Sequence, residues 1–381
     1  MIKVNQIGLY IHFPWCIKKC PYCDFNSHRA TPKNDHDLYI SNLISDFKTH
    51  HLTHSYNKRI CSIFLGGGTP SLFSASNIEK LLNELSKLCT FADEIEITLE
   101  ANPGTIERDS FKAYKSAGIN RVSLGVQSFQ DKQLKYLGRI HSSSAAISAI
   151  EDIHSANITN FNIDIMHGLP EQTVSEAIDD LESALSLSST HLSWYQLTLE
   201  PNTLFYHQKP NLPNEMILED IEINGKQLLQ DKGFLQYEVS AYSLGIKHQS
   251  LHNKNYWLFG DYIGIGAGAH SKITDGNTGL ITRLWKHKQP RVYQQTPNSF
   301  IEGTEILSST DTRYEFMLNA LRLKNGFNLK DFEQTTGMRE RDISDGLLQA
   351  QNKKLITVQD NHIMPTELGY NYLNDTIRIF E

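Results

Sequence analysis

The chain carries three cysteines in one short loop, in the spacing Cys16-x3-Cys20-x2-Cys23. Zinc sites use four ligands, commonly in two pairs, and no second Cys/His pair of suitable spacing stands nearby. Three thiolates in one loop suit an iron–sulfur cube, and since a cube has four irons, three ligands leave one iron open to an exchangeable molecule. The spacing therefore predicts a 4Fe-4S cluster. A structural zinc site and a redox thiol loop are the alternatives.

The other two cysteines, Cys61 and Cys89, each stand alone in an apolar segment. A total of five is odd and low for 381 residues, which argues against a disulfide framework. We predict that both are buried side chains without a chemical role.

Short β-rich runs alternate with helical patterns over roughly the first 200 residues. The runs end near Phe13, Leu65, Leu99, Gly125 and Met166 and around Trp194–Leu199, and the intervening helical patterns include Ile78–Leu88, Ser110–Ala117 and Ser175–Leu187. Six such units predict a parallel sheet with right-handed crossovers, either as an open doubly wound sheet or as a partial barrel.

The residues with chemical potential follow the predicted strand ends. They are Cys16–Cys23, Gly66–Pro70, Glu100–Pro103, Gln127 and Asp164–Pro170. Loops at the carboxyl ends of parallel strands meet at one edge of a sheet or at one face of a barrel. We therefore expect one site, assembled from many loops.

Six ordered motifs in these loops resemble the radical S-adenosylmethionine (SAM) superfamily, and more closely its anaerobic coproporphyrinogen oxidase family. The first motif comprises Tyr10, His12, Pro14, Cys16, Cys20, Tyr22 and Cys23. The others are GGGTPS at Gly66–Ser71, EANPGT at Glu100–Thr105, RVSLGVQSF at Arg121–Phe129, LGRIH at Leu137–His141 and DIMHGLP at Asp164–Pro170. The resemblance spans nearly the whole chain. It implies an α/β fold: a partial (β/α)6 radical SAM barrel, an α+β linker region and a small winged-helix-like C-terminal module.

The same resemblance implies a set of SAM-binding residues: Tyr10, Tyr22, Gly67, Gly68, Thr69, Glu100, Gln127, Arg139 and Asp164. The glycine loop would approach the methionine amino group, and its backbone could offer N–H donors. Arg139 would pair with the carboxylate of SAM, and Glu100 and Asp164 would hold hydroxyl or ammonium groups. Tyr22 would lie against the adenine. The structural alternatives are a tight turn for the glycines and an internal ion pair for Arg139.

Within that family, the chain resembles the HemW branch, which is understood as a group of heme chaperones. Phe25 stands where the oxidases carry a further cysteine, and the oxidases have an extension ahead of the position of Tyr10. The segment His252–Trp257 reads His-Asn-x-x-Tyr-Trp, as in that branch. The resemblance implies heme contacts by His252, Tyr256 and Trp257. Their imidazole and flat apolar faces suit an iron porphyrin.

Two readings of that segment remain open. A lone histidine beside aromatic residues is commonly a satisfied structural residue. His248 lies four residues before His252 and would share its face if the segment were helical, so it is a rival heme ligand.

The resemblance thus predicts a heme chaperone that binds heme and transfers it to an acceptor protein, with a 4Fe-4S cluster and exchangeable SAM. The alternative is an oxygen-independent coproporphyrinogen III oxidase, in which a cofactor-derived radical removes hydrogen from a porphyrinogen side chain. The sequence assigns no catalytic residue.

The length exceeds one compact core. We predict a radical SAM core at 1–235, a bridging region with the heme motif at 236–300 and a C-terminal domain at 301–381. Helices followed by a hairpin resemble a winged helix in the last of these. That region holds 9 basic and 13 acidic residues, so we expect a structural or docking role rather than DNA binding.

The net charge of -7 disfavours nucleic-acid binding generally. The sequence has neither an apolar run long enough for a bilayer nor a secretory signal pattern, so we predict a cytoplasmic protein. Peripheral membrane contact is left open, as is the choice between monomer and dimer.

Overall fold

The computed structural model describes residues 6–32, 34–54, 58–104, 109–296 and 299–381. Thr105, the last residue of the EANPGT motif, lies outside them. The strands are β1 Gln6–Phe13, β2 Trp15–Cys16, β3 His28–Arg29, β4 Arg59–Gly67, β5 Phe91–Ala101, β6 Arg121–Gln127, β7 Phe161–His167, β8 His191–Gln196, β9 Leu235–Glu238, β10 Ala241–Ser243, β11 Tyr262–Ile265, β12 His270–Thr274, β13 Ile281–Lys286, β14 Ile301–Ile306, β15 Phe327–Asn328, β16 Ile356–Gln359 and β17 His362–Pro365.

The α-helices follow the same chain order. They are α1 His36–His54, α2 Ala75–Leu88, α3 Phe111–Ser116, α4 Asp131–Tyr136, α5 Ser143–Ser155, α6 Val174–Ser186, α7 Leu204–Gln208, α8 Glu215–Asp231, α9 Leu251–Trp257, α10 Pro290–Gln295, α11 Ser309–Ala320, α12 Leu329–Thr336, α13 Ser344–Asn352, α14 Glu367–Asn371 and α15 Leu373–Arg378. No helix in the described ranges is both long and apolar enough to cross a membrane.

The main sheet has the order β14-β13-β12-β11-β1-β4-β5-β6-β7-β8-β10-β9. The six strands β1 and β4 to β8 run parallel, as predicted. The barrel is partial because its first and last strands, β1 and β8, do not pair with each other. Instead, β1 pairs with β11 and β8 pairs with β10. The bridging region therefore extends the sheet at both edges.

Strand β7 shows how this sheet separates a polar interior from an apolar shell. Asn162 and Asp164 line a central cavity, whereas the alternate residues Ile163 and Ile165 are fully buried in the main hydrophobic core. Successive strand residues point to opposite faces, so one strand serves both environments.

The outer helices cover the apolar face of the sheet. Helix α2 begins after Ser74, whose side chain accepts the Asn77 N–H, and it buries Leu81 and Leu85. Burying one such leucine contributes roughly 1.5–3 kcal/mol to stability. This packing holds α2 against the sheet.

The C-terminal module has its own core around Phe316, Phe327 and Phe332. It contains the small sheet β15-β17-β16 beside helices α11 to α15, in agreement with the winged-helix-like prediction. A 3-10 turn, Glu340–Asp342, precedes α13, and Ile343 between them has φ -125° and ψ -2°.

Candidate functional site

A cavity of about 630 Å³ opens at the carboxyl ends of the parallel strands. Most of the predicted site residues line it: Cys16, Cys20, Tyr22, Cys23, Gly67, Gly68, Thr69, Glu100, Gln127, Arg139 and Asp164. Tyr10, His252, Tyr256 and Trp257 do not. The parallel sheet thus brings distant loops together at one place, as the position of the motifs predicts.

Each of the three clustered thiols lies beside a different polar side chain. Thr69 Oγ1 donates to Cys16 Sγ at 3.5 Å, and Arg139 Nη1 donates to Cys20 Sγ at 3.7 Å. Cys23 Sγ and Ser27 Oγ are 3.9 Å apart. Within the described residues, no three His, Cys, Asp or Glu side chains are close enough to hold a single metal ion.

A chain of hydrogen bonds joins Cys16 to Cys20 across the cavity. Asn102 Nδ2 donates to Thr69 Oγ1 at 3.0 Å, and Asn102 Oδ1 accepts from Arg139 Nη2. Arg139 Nη2 also donates to the Gly125 carbonyl at 2.6 Å. The sequence-based residue set omitted Asn102, although it lies inside the EANPGT motif.

Burial raises the pKa of Cys16 and Cys23 above the ordinary value of a thiol. Both are therefore neutral at pH 7 in the protein without a cluster. A metal centre binds thiolates, so its binding at this loop must release protons.

The two solitary cysteines lie outside the cavity lining and are half-buried rather than fully buried. Cys61 Sγ donates to the Ile7 carbonyl at 3.5 Å, and Cys89 Sγ donates to the Leu85 carbonyl at 3.3 Å.

The glycine loop at the end of β4 packs closely against neighbouring residues. Gly67 has φ +108°, and a Cβ there would collide with the His12 ring. A Cβ on Gly68 would lie 2.7 Å from the carbonyl oxygens of both Phe13 and Trp15. Only glycine fits both positions without displacing the neighbours.

The N–H groups of this loop are already used inside the protein. Gly67 N–H donates to Glu100 Oε2 at 3.0 Å, Gly68 N–H to the Phe13 carbonyl at 2.6 Å and Thr69 N–H to the Trp15 carbonyl at 2.8 Å. The loop therefore does not present these three donors to a ligand, contrary to the sequence-based expectation.

Two carboxyl groups face the cavity from neighbouring parts of the sheet. Burial, reinforced by the negative charge of Asp164, raises the pKa of Glu100 to about 8. Burial also raises the pKa of Asp164, which accepts hydrogen bonds from Asn162 Nδ2 at 2.7 Å and Ser123 Oγ at 3.3 Å. A positively charged ligand would favour the ionised form of both groups.

Gln127 and Tyr22 also line the cavity. Gln127 has φ +75°, and its Oε1 accepts from the Tyr195 hydroxyl at 2.8 Å. The Tyr22 ring centroid lies 6.3 Å from that of Phe205, in a small apolar cluster. Tyr22 therefore borders an apolar part of the lining. Phe25, another lining residue, is 59% exposed.

Tyr10 lies deeper in the barrel. Its hydroxyl is 3.0 Å from His12 Nδ1, and His12 Nε2 is 2.9 Å from the carbonyl of Asn26 in the cysteine loop. Tyr10 is therefore linked to the cysteine loop by way of His12, and it does not line the cavity.

His252 is almost fully buried on α9, and both of its ring nitrogens have partners. Nδ1 is 2.9 Å from Ser62 Oγ, and Nε2 is 3.1 Å from the Tyr256 hydroxyl. Burial lowers the pKa of His252 to about 3. In this arrangement His252 is a structural residue with no nitrogen left for iron.

The rest of the motif packs between the barrel and the C-terminal module. The Tyr256 ring meets Tyr262 edge-on at 4.4 Å. The guanidinium carbon of Arg322 lies 4.4 Å from the centroid of the Trp257 ring, a cation–π contact. Asn253, the second residue of the motif, is the one that lines the cavity.

His248 does not share a helical face with His252. It ends a 3-10 turn, Ile246–His248, and Gln249 has an extended backbone with φ -66° and ψ 136° before α9 begins. His248 is half-buried, near the surface.

Known proteins match the chain along its whole length. It is 45% identical to the heme chaperone HemW of Haemophilus influenzae, over 100% of this chain and 99% of that protein. It is 43% identical to the heme chaperone HemW of Escherichia coli, over 100% of this chain and 99% of that protein. The chain belongs to the HemW family of radical SAM proteins.

Two family profiles match separate parts of this HemW-family chain. The radical SAM superfamily profile matches residues 10–184, and the HemN C-terminal domain profile matches residues 307–371. The solved structure of coproporphyrinogen III oxidase (HemN) from Escherichia coli is similar, with a TM-score of 0.82 and 21% identity, over 99% of this chain and 90% of that one. At that identity the likeness establishes the shared fold.

Proposed function

We propose that this HemW-family chain is a heme chaperone that holds a 4Fe-4S cluster on Cys16, Cys20 and Cys23 and binds SAM in the cavity beneath it. The chaperone role rests on the names of the relatives. The cofactors rest on one observation: three thiols at the mouth of a cavity, each beside a side chain that can hydrogen-bond to sulfur. Such hydrogen bonds tune iron–sulfur clusters.

The donor set fits a cluster that keeps one iron open. Thr69, Arg139 and Ser27 would steady the three cysteines, and the cavity would receive the ligand of the open iron. When bound, such a cluster can supply an electron to that ligand. The chain's own part is to orient both cofactors and to exclude water from the space between them.

The lining also fits SAM, which carries a carboxylate, an ammonium, a sulfonium and a ribose. Arg139 has five N–H groups, of which three are used by Cys20, Asn102 and Gly125, so two remain for a carboxylate. Glu100, Asp164 and Gln127 would accept from the ammonium and hydroxyl groups. Tyr22 would cover the adenine, and Gly67, Gly68 and Thr69 would shape the methionine end.

Tyr10 is proposed as a support for this site. Its hydroxyl reaches His12, and His12 holds the cysteine loop at Asn26. Both ring nitrogens of His252 have partners, so His252, Tyr256 and Trp257 would serve heme binding by holding α9 in place.

Anaerobic reconstitution with iron and sulfide tests the cluster. Changing Cys16, Cys20 and Cys23 together to Ala should abolish the brown chromophore and the bound iron. The matched control is Cys61→Ala with Cys89→Ala, which removes the two thiols outside the cavity and should leave iron content unchanged. Iron retained in the triple variant contradicts the proposed ligands.

Heme titration of the reconstituted chain tests the chaperone role. We expect a Soret band that saturates near one heme per chain, transfer of that heme to an apo-acceptor, and no decarboxylation of coproporphyrinogen III. Turnover of coproporphyrinogen III would instead support the oxidase alternative.

A further inference from the structure

The side chain of Asn26 links the cysteine loop to a distant part of the chain. Its Nδ2 donates to the carbonyl oxygens of Ala267 and Lys288, both at 2.9 Å, and its Oδ1 lies 3.2 Å from His28 Nε2. An asparagine amide has two N–H donors and one carbonyl acceptor, so every part of this amide is in contact. Asn26 stands shortly after Cys23, where the loop turns back towards β3.

The order of the strands explains why these partners meet. Strand β11 pairs in parallel with β1, so the loops that follow the two strands leave the sheet at the same edge. Strand β13 runs in the same direction as β11, because each pairs antiparallel with β12. Ala267 follows the end of β11 and Lys288 follows the end of β13. The bridging region thus places both acceptors beside the cysteine loop.

Two glycines let the bridging region approach the cysteine loop closely. Gly266 has φ +102°, and a Cβ there would lie 2.4 Å from the His12 carbonyl oxygen. Gly268 has φ +79°, and a Cβ there would lie 2.4 Å from Asn26 Nδ2. A larger residue at either position would therefore push the two segments apart.

The backbone that carries the two acceptors is held from inside the protein. Gly266 N–H donates to Asp46 Oδ2 at 3.2 Å, and Asp46 also accepts from Lys286 Nζ and, at 2.8 Å, from the Tyr293 hydroxyl. These three side chains are almost completely buried. A buried ion pair with further hydrogen bonds is costly to break, so the two acceptor carbonyls are held in fixed positions.

Asn26 reaches the thiols through the residue that follows it. Ser27 is buried, and its Oγ lies 3.9 Å from Cys23 Sγ. The N–H of His28 then donates to the Pro14 carbonyl at 2.7 Å, which returns the chain to the start of the loop. Fixing Asn26 therefore fixes the segment between Cys23 and β3.

We propose that Asn26 is a positioning residue for the 4Fe-4S cluster, and that the bridging segment 266–288 completes the cluster site by holding Asn26. Asn26 is not a ligand; it acts by keeping Ser27 and Cys23 in place. The radical SAM superfamily profile ends at residue 184, so the cluster site extends beyond the part of the chain that this profile matches. The inference rests on the proposed cluster and names what positions it.

Asn26→Ala tests the assignment after anaerobic reconstitution of the full chain. The variant should take up iron to the wild-type level, because the three thiols remain. We expect it to lose that iron to a chelator about tenfold faster than the wild type, since a group that orients a metal ligand is missing. The electron paramagnetic resonance signal of the reduced cluster should also change. Asn83→Ala, at an exposed position on α2, is the control and should match the wild type in both measurements.

Gly268→Ala tests the same contact from the other side. Its Cβ would displace Asn26, whereas a Cβ at Gly279, which also has a positive φ of +71°, meets no atom within 4 Å. Gly279→Ala therefore controls for backbone strain and should behave as the wild type. Gly268→Ala should lose iron as fast as Asn26→Ala, and the double variant should be no worse than either alone, because both changes break one link.

Urea unfolding of the chains without a cluster separates positioning from a general effect on folding. We expect Asn26→Ala to keep a midpoint close to that of the wild type, because its hydrogen bonds are partly exposed to solvent. If Asn26→Ala and Gly268→Ala both release iron at the wild-type rate with an unchanged signal, or if Asn26→Ala no longer folds, the positioning role is overturned while the cluster proposal stands. If the wild type takes up no iron, both are overturned.

Discussion

Ser62 and His252 share a hydrogen bond of 2.9 Å although 190 positions separate them in the chain. The His252 ring also stacks 5.2 Å from the Phe64 ring, on the same strand as Ser62. This pair anchors α9 inside the barrel, against the first parallel strands. The HemW-type motif therefore has a structural role, which is to hold α9 against the barrel.

Removing either partner of His252 should destabilise the barrel. Ser62→Ala leaves Nδ1 without a partner and Tyr256→Phe leaves Nε2 without one, and each loss should cost about 1–3 kcal/mol. Urea unfolding followed by circular dichroism measures this. Ser86→Ala, which removes a hydroxyl bonded to Asn83 on the surface, is the control and should change little. Equal stability of all three variants would argue against the anchoring role.

Acid should destabilise the protein through its buried histidines. Burial lowers the pKa of His12, His141 and His167 to about 4. The unfolded chain takes up these protons near pH 6.5 and the folded chain does not, so stability is full above about pH 6.5 and is lost as pH falls towards 4. Thermal midpoints between pH 4 and pH 8 measure this loss.

His167 offers a specific test of that pH dependence. Its ring lies 4.3 Å from the Trp194 ring, and its Nδ1 is buried without a hydrogen-bond partner among the residues that the structure describes. His167→Phe should keep the aromatic contact and flatten the fall in stability below pH 6.5. The exposed His207→Phe should leave the profile unchanged.

Glu96 should be essential to the position of α9. Its carboxylate accepts the N–H groups of Leu251 and His252 at 3.1 and 3.2 Å. It also lies 3.9 Å from Arg121 Nε, with both side chains buried. Glu96→Ala would leave the Arg121 charge buried without its partner, a loss of about 3–5 kcal/mol.

The neighbouring Glu94 provides the control for that prediction, because it lies on the same strand and is exposed. Glu94→Ala should change the unfolding midpoint little. If Glu96→Ala were as stable as Glu94→Ala, the ion pair between Glu96 and Arg121 would not contribute to the stability of the protein.

Local patterns predicted the parts of the site that follow single strands. The strand ends near Phe13, Leu65 and Met166 fall at or within three residues of the ends of β1, β4 and β7, and the cysteine loop follows the first of them. Apolar runs and glycines report directly on strand ends, so these predictions needed no knowledge of the tertiary structure.

Contacts between distant segments could not be predicted in the same way. Asn102 bridges Thr69 and Arg139, and Ser62 meets His252, only because the sheet brings their strands together. The sequence does not indicate whether the ring nitrogens of His252 have hydrogen-bond partners. Its assignment to heme came from resemblance, and the structure supplied the two hydrogen bonds that oppose it.

Asn102 should control the environment of the proposed cluster without being a ligand. Asn102→Leu removes the link between Thr69 and Arg139, and hence between the partners of Cys16 and Cys20. We expect iron content to stay at the wild-type level while SAM affinity falls by about tenfold. The electron paramagnetic resonance signal of the reduced cluster should also change.

A surface asparagine serves as the control for that variant. Asn224→Leu removes a side chain that donates to the Asp220 carbonyl on its own helix, and should affect neither the signal nor the affinity. Unchanged SAM affinity in Asn102→Leu would contradict the proposed role of the hydrogen-bond chain.

Glu100 should couple SAM binding to pH. Its pKa is raised to about 8 by burial first and by Asp164 second, so it is mainly protonated at pH 7. SAM carries a positive sulfonium, which favours the carboxylate, so binding should release a proton and affinity should rise with pH up to about 8. Calorimetry in buffers of different ionisation enthalpy counts that proton.

Glu100→Gln and Glu200→Gln separate this effect from a general change of charge in the cavity, which both residues line. Glu100→Gln mimics the protonated acid, so it should bind SAM like the wild type at about pH 6 and more weakly at about pH 8.5, with no proton released. Glu200→Gln should keep the wild-type pH profile. If the SAM affinity of Glu100→Gln varied with pH as in the wild type, a group other than Glu100 would be titrating. Burial also raises the pKa of Asp164, so Asp164→Asn would be the next variant to measure.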